Sequence, residues 1–257
     1  MTWVTWTAPW LVFWLSVVSP VAAGADVRLA VPHITSLLEA DGSGVYQRLV
    51  SQALKAVPFS VEQHFYPYKR ALRSFERLRA DCVYSFTDVL QDEFGRDNII
   101  ASFPLGKFSF YLFTRQGEPA LISTDQLPAG RVGGVIGHES YLRQIMDDLD
   151  SVLWVTSDEQ NLEMLRLGRI NAMIAAIPDI RPYLDNLNYA PGHPLLVGYD
   201  RITCHDTDKN RAFLSALSEQ LIKLKDAGIY QAVAGSLYVD FDTRTWLTSA
   251  GIPYPAR

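Results

Sequence analysis

The side chains in this chain with the most distinctive chemistry are five histidines (His33, His64, His138, His193, His205), two cysteines (Cys82, Cys204) and the aromatic residues Phe65, Tyr66 and Tyr68. The histidines show none of the spacings, such as His-x-x-x-His, that bring two imidazoles to one metal ion. Cys204-His205-Asp206 is an isolated cluster, so neither a metal nor a cofactor is expected. No Gly-x-Ser-x-Gly nucleophile motif occurs, and no catalytic residue is assigned. The aromatic residues can stack on a ligand or face a cation, or they can serve burial alone; both readings stand.

These aromatics open a stretch, Tyr66 to Asp97, that reads as helix, strand and ligand-facing loop in succession. Ala71, Leu72, Phe75 and Leu78 recur at three- and four-residue steps among basic residues, as an amphipathic helix requires. Asp81 to Phe86 is an apolar run of strand length, and Thr87-Asp88 closes it with residues suited to turns and caps. Ligands collect at the carboxyl ends of strands in such α/β units. A second copy follows about ninety residues on, where Glu163 to Ile174 matches Arg73 to Tyr84 in outline. Two such units suggest a chain with two halves built alike.

The remaining elements fit an α/β pattern. Val27 to Val31 is a first strand whose end delivers Pro32-His33-Ile34-Thr35 to a crevice. Val45 to Val57 is a helix and Phe59 to Phe65 a strand. Phe108 to Thr114 is a buried strand. Leu127 to Gly137 is loop, strand and loop, and Ser140 to Leu149 reads as helix. A strand at Val152 to Val155, a helix at Gln160 to Leu167 and a strand at Ala172 to Ala176 follow. Leu195 to Thr203 is a strand, and Asn210 to Tyr230 is a long amphipathic helix.

Composition sets limits on function. With 257 residues, 48% hydrophobic and 20% charged, the chain can bury a substantial core and is neither disordered nor polytopic. A net charge of −5 argues against nucleic acid as a partner. Met1 to Ala25 carries no charged residue and holds Trp3, Trp6, Trp10 and Trp14. It reads as a secretory signal, cleaved after Ala23-Gly24-Ala25, although the usual positive start is missing; retention as an anchor is the other reading. Export permits a disulfide. Cys82 is therefore either a buried core thiol or the partner of Cys204.

The order of elements, together with Arg79-Ala80-Asp81-Cys82-Val83, the Leu127 to Gly137 segment, Leu167 to Ala172, and Ala212-Phe213-Leu214 through Asp226 to Tyr230, resembles the extracellular solute-binding proteins of family 3. These are type II periplasmic binding proteins that serve polar amino-acid ABC transporters. The resemblance covers nearly all of the chain after Ala25. It implies an α/β fold of two lobes, each a mainly parallel sheet flanked by helices, joined by a two-strand hinge. Lobe 1 would comprise 26–107 and 204–257, and lobe 2 108–203. Closure on a ligand would be a rigid-body event.

The same resemblance implies a ligand site. Ser85 and Thr87 match the hydroxyl residues that follow the first-lobe strand. Arg96 matches an arginine that forks onto a ligand carboxylate, or it is a surface residue paired with Asp92 or Asp97. Gly137-His138-Glu139-Ser140 takes the place of a loop that holds the carboxylate on free backbone amides, although Glu139 in a first turn also stabilises its own helix. Tyr66, Tyr68 and Asn171 complete the expected set. Many amino-acid binders carry Gly-Asp where this chain has Ala175-Ala176. Either Glu139 or Asp179 replaces that carboxylate, or the ligand is not an ordinary α-amino acid; the second is preferred. The expected role is non-enzymatic: a monomeric periplasmic protein captures a small polar solute, an amino acid or a related amine or carboxylate, and presents it to an ABC permease in the inner membrane. A sensing or partner-binding module and a periplasmic enzyme are the alternatives.

Overall fold

The computed structural model describes Met1 and residues 26–127 and 131–242. The segment read as a signal, residues 128–130 and residues 243–257 lie outside the described residues. In chain order the elements are β1 Val27–Pro32, α1 Val45–Leu54, β2 Val61–Tyr66, α2 Tyr68–Glu76, β3 Cys82–Phe86, α3 Thr87–Phe94, β4 Ile99–Ala101, β5 Gly106–Arg115 and β6 Val132–Val135. They continue with α4 Glu139–Leu142, β7 Val152–Val155, α5 Asp158–Arg166, β8 Ala172–Ile177, β9 Leu187–Asn188, β10 Leu196–His205, α6 Asp208–Asp226 and α7 Ile229–Ala234.

The strands form one curled sheet in the order β2-β1-β3-β10-β5-β8-β6-β7, with β4 beside β10 and β9 beside β5. In the first half β1 is parallel to both β2 and β3. In the second half β6 is parallel to both β7 and β8. The two long strands between them, β5 and β10, run antiparallel to each other and to their outer neighbours. They carry the chain out of the first half and back, and the expected lobe boundaries fall within them.

The inner strands β3, β6 and β8 are buried on both faces and read as continuous rather than alternating runs, whereas the edge strand β2 keeps Glu62 and Gln63 exposed. The two-residue period still decides which core each side chain joins. Cys82 and Tyr84 pack under α1 and α6, while Val83 faces Ala71, Phe75 and Leu90. Ala172, Ile174 and Ala176 join Phe108, Phe110 and Leu142, while Met173, Ala175 and Ile177 face Leu165 and Ile180. Cys82 and Cys204 are register partners on β3 and β10 and form a disulfide, with Cα atoms 4.0 Å apart and a sequence separation of 122. This settles the two readings of the cysteines in favour of pairing.

Three local expectations are corrected. The loop expected after Phe86 is helix α3, because Val89 and Leu90 are buried against the sheet and Phe94 packs on Phe75, a three- to four-residue spacing that sustains a helix. The helix expected to reach Leu149 ends at Leu142; Asp147 and Asp148 would place acids at its negative end, which opposes continuation. The long C-terminal helix divides at Gly228, whose φ of 73° is left-handed, into α6 and α7.

Candidate functional site

The carboxyl ends of the strands from both halves converge on a cavity of about 390 Å³. His33, Ile34 and Thr35 enter it from the end of β1, as the strand reading predicts, and Glu39 and Ala40 follow on the same loop. The β2–α2 junction supplies Phe65, Pro67, Tyr68 and Lys69. Val135, Ile136 and His138 come from the end of β6. Thr156, Ser157 and Asp158 come from the β7–α5 junction, and Asp179 lies just beyond β8. Several side chains bridge the two halves here. Lys69 Nζ lies 3.0 Å from Glu139 Oε1, Thr35 Oγ1 donates to Glu159 Oε1 at 2.9 Å, and the hydroxyls of Tyr68 and Tyr141 are hydrogen-bonded. Outside the cavity, Arg181 Nη1 donates to the Ser236 carbonyl at 2.8 Å.

The aromatic wall is built from Tyr68, which meets His138 and Tyr141 edge-on, with His138 also against Phe110. Burial lowers the His138 imidazole to about 4, so the ring is neutral near pH 7. Gly137 has a φ of 107°, and a Cβ there would meet Tyr68 Cδ1 at 2.6 Å; glycine is what allows the tyrosine to sit flush.

Carboxylates dominate the polar lining. Asp158 is 8% exposed, and its Oδ1 has no hydrogen-bond partner. Burial, then the neighbouring Glu159 charge, pushes its carboxyl up to about 7. Asp179 is 7% exposed and is raised well above the carboxylate range by burial, then by Asp158 and Asp200. Asp200, behind the cavity on β10, is raised to about 7 by burial, with the Tyr46 hydroxyl donating to it at 2.9 Å and working the other way. Glu139 stays below its ordinary value. Burial opposes its ionisation but is outweighed by its own backbone amide, by Lys69 and by the Gly137 amide, which donates to Oε2 at 2.6 Å.

Of the residues expected at the site, Tyr68 and His138 line the cavity and Glu139 is bonded to Lys69 at its edge. The Gly137 amide is taken by Glu139 and the His138 amide by the Val135 carbonyl. Ser140 lies half-buried in α4, and Tyr66 ends β2 beside His64. Ser85 and Thr87 are buried and bond Thr203 on β10 at 2.9 and 2.8 Å. Arg96 is exposed on the turn after α3, which returns the chain to the opposite ends of the strands, where the Asp206 amide meets the Asn98 carbonyl. Asn171 is likewise at the start of β8, its amide on the Arg131 carbonyl. The deeply buried Arg201, 2% exposed, lies on β10 beside Ser85 and donates to the Ser102 carbonyl at 3.2 Å. Asp158 is among the polar cavity residues that sequence reading missed, with Glu39, Lys69, Thr156 and Ser157. Extending the internal repeat to the helix starts finds Asp158, since it falls opposite Tyr68.

No protein-family model matches the sequence, and no curated protein matches it. Solved structures do. The GluR0 ligand-binding core from Nostoc punctiforme, in complex with L-glutamate, is 17% identical and superimposes with a TM-score of 0.67 over 82% of this chain and 99% of that one. The arginine-, lysine-, histidine-binding protein ArtJ from Geobacillus stearothermophilus is 12% identical, with a TM-score of 0.66 over 87% of this chain and 99% of that one. A substrate-binding protein of an amino acid ABC transporter is 13% identical, with a TM-score of 0.61 over 82% and 98%. The fold is therefore the two-lobed periplasmic-binding-protein type, in the form seen in amino-acid-binding proteins.

Proposed function

We propose that this chain is a solute-binding protein that encloses a small polar molecule between two lobes, 26–107 with 204–257 and 108–203, hinged on β5 and β10. The observation that carries this reading is the cavity itself. It is placed at the carboxyl ends of strands from both halves, lined by buried ionisable groups, and bridged by Thr35–Glu159, Lys69–Glu139 and Tyr68–Tyr141. Contacts of this kind form only when the halves come together, so a ligand that adds to them favours the closed arrangement. Delivery to an ABC permease is the finer part of this proposal, and the fold's similarity to a substrate-binding protein of an amino acid ABC transporter supports it. A periplasmic location agrees with the disulfide and with the apolar segment before Asp26.

The test is a melting-temperature screen of the purified protein against amino acids, amines, small peptides, carboxylates and sugars. A ligand at a hundred times its dissociation constant adds about 2.7 kcal/mol, which is a shift of several degrees. A hit should also lower the radius of gyration in small-angle scattering. Silence across all classes would reject the binding role. A hit without delivery by any permease would favour a sensing module.

A further inference from the structure

Taking the solute-binding role as its basis, we infer that the cavity is built for an organic amine without a carboxylate, held as an ammonium ion by Asp158 and Asp179. Three features of the described lining converge on this class. First, the lining carries three carboxylates, Glu39, Asp158 and Asp179, and no arginine. Second, its one lysine is already engaged, since Lys69 Nζ is 3.0 Å from Glu139 Oε1. Third, Asp158 is nine-tenths buried with Oδ1 unpartnered. A buried acceptor left without a donor is costly, and a positively charged N–H group is the partner that best relieves two neighbouring acids at once.

An α-amino acid fits these walls poorly. Its ammonium would be welcome, but its carboxylate needs a cationic fork or free amides. Arg96 is exposed at the opposite ends of the strands, and the Gly137 and His138 amides are bonded within the protein. A carboxylate placed among three acids without a counter-charge makes ionisation of every member of the group more costly. A metal ion is a weaker occupant, because the described residues include no group of three or more His, Cys, Asp or Glu positioned to hold one. The remaining walls suit a carbon chain. His33 and Phe65 meet edge-on at 5.8 Å, and Tyr68 and His138 face the same space. Aromatic faces of this kind also attract ammonium groups.

Matched pairs that differ only by the carboxylate isolate the inference. Isothermal titration calorimetry would compare lysine with 1,5-diaminopentane, ornithine with 1,4-diaminobutane, and arginine with its decarboxylated counterpart agmatine. At least one amine should bind, at least tenfold more tightly than its parent amino acid. An amino acid that binds as tightly as its amine overturns the inference, as does failure of every amine. Binding of amino acids, carboxylates or sugars without amines would leave the solute-binding role standing and remove only the amine; silence in every class removes both. For the amine that binds, Asp158→Asn and Asp179→Asn should each weaken binding at least tenfold while melting no lower than the parent protein. Full affinity in both variants would also overturn it.

Discussion

The helix–strand unit α2–β3 and the unit α5–β8 share one backbone plan, each residue of the second helix following its counterpart by 90 positions (68 to 158, 76 to 166). Leu78 and Gly168 both take a left-handed φ just past their helices, and β3 and β8 start at Cys82 and Ala172, again 90 apart. Yet the first turns carry opposite charge into the same cavity. Pro67, Tyr68 and Lys69 stand where Ser157, Asp158 and Glu159 stand in the other unit. Acids suit the positive end of a helix, and Ser157 caps α5 by accepting from the Gln160 amide; α2 has neither device and is held by Tyr68 packing and the Lys69–Glu139 pair. A duplicated scaffold thus sets where the cavity is, and a few first-turn side chains set what it can hold.

The largest expected effect breaks the symmetry at the strand starts, where Cys82 is cross-linked and its counterpart Ala172 is not. Replacing both Cys82 and Cys204 by Ala reopens a loop closed across 122 residues. The chain-entropy account puts the loss at about 5 kcal/mol, read as a lower urea midpoint with an altered m-value. Equal stability in the two forms would show that packing in the first half suffices.

Next come the acids of the second unit. In the ligand-free protein Asp158→Asn should raise stability at pH 8 by a few kcal/mol, at about 1.4 kcal/mol per pKa unit relieved, and change little at pH 4. The sign follows from linkage. Asp158 and Asp200 are raised to about 7, so the unfolded chain releases these protons from about pH 4 upward while the native chain keeps them. Stability of the free protein should therefore fall from about pH 4 to about pH 7, with a shallower fall in the variant. Glu159 and Asp179 remain as neighbours of position 158, and Asp200 as a neighbour of Asp179. Affinity for a cation should move the opposite way, rising across that window.

Against the first unit, Gly137→Ala in the second half drives a methyl group into the Tyr68 ring at a left-handed φ. A cost of about 1–3 kcal/mol is expected, with weaker ligand binding; an unchanged melting temperature would mean the ring moves aside freely. The smallest effect belongs to Arg96→Ala. At an exposed turn far from the cavity, it should change stability by no more than about 0.5 kcal/mol and leave affinity alone. Loss of binding would restore it as a carboxylate anchor.

Much of this plan was legible in the residues. The repeat could be read because buried strands and amphipathic helices impose their periods on sequence wherever both faces are covered. The end of β1 was read as crevice-facing because Pro32 stops a strand, and His33 does line the cavity. What escaped reading was burial that depends on the other half. Asp158 looks like an ordinary acid behind a capping serine, and only convergence of the halves removes it from water. Ser85 and Thr87 have the right types for ligand contacts, but β10 arrives from far along the chain to place Thr203 against them. Helix α3 was hidden by Thr87-Asp88, which suit a turn as well as a first helical turn.

The Cys82–Cys204 pair also bears on the order in which the molecule assembles. As the chain emerges, β1, β2 and β3 are made early, but the strand that completes their side of the sheet is β10, which follows the whole of the second half. Cys82 therefore has no partner within the chain until more than a hundred further residues have been made. Contacts this distant in sequence form late and slowly. The disulfide acts as a closing stitch: once the inserted half has returned its last strand, the bond keeps the early strands from drifting from the late one.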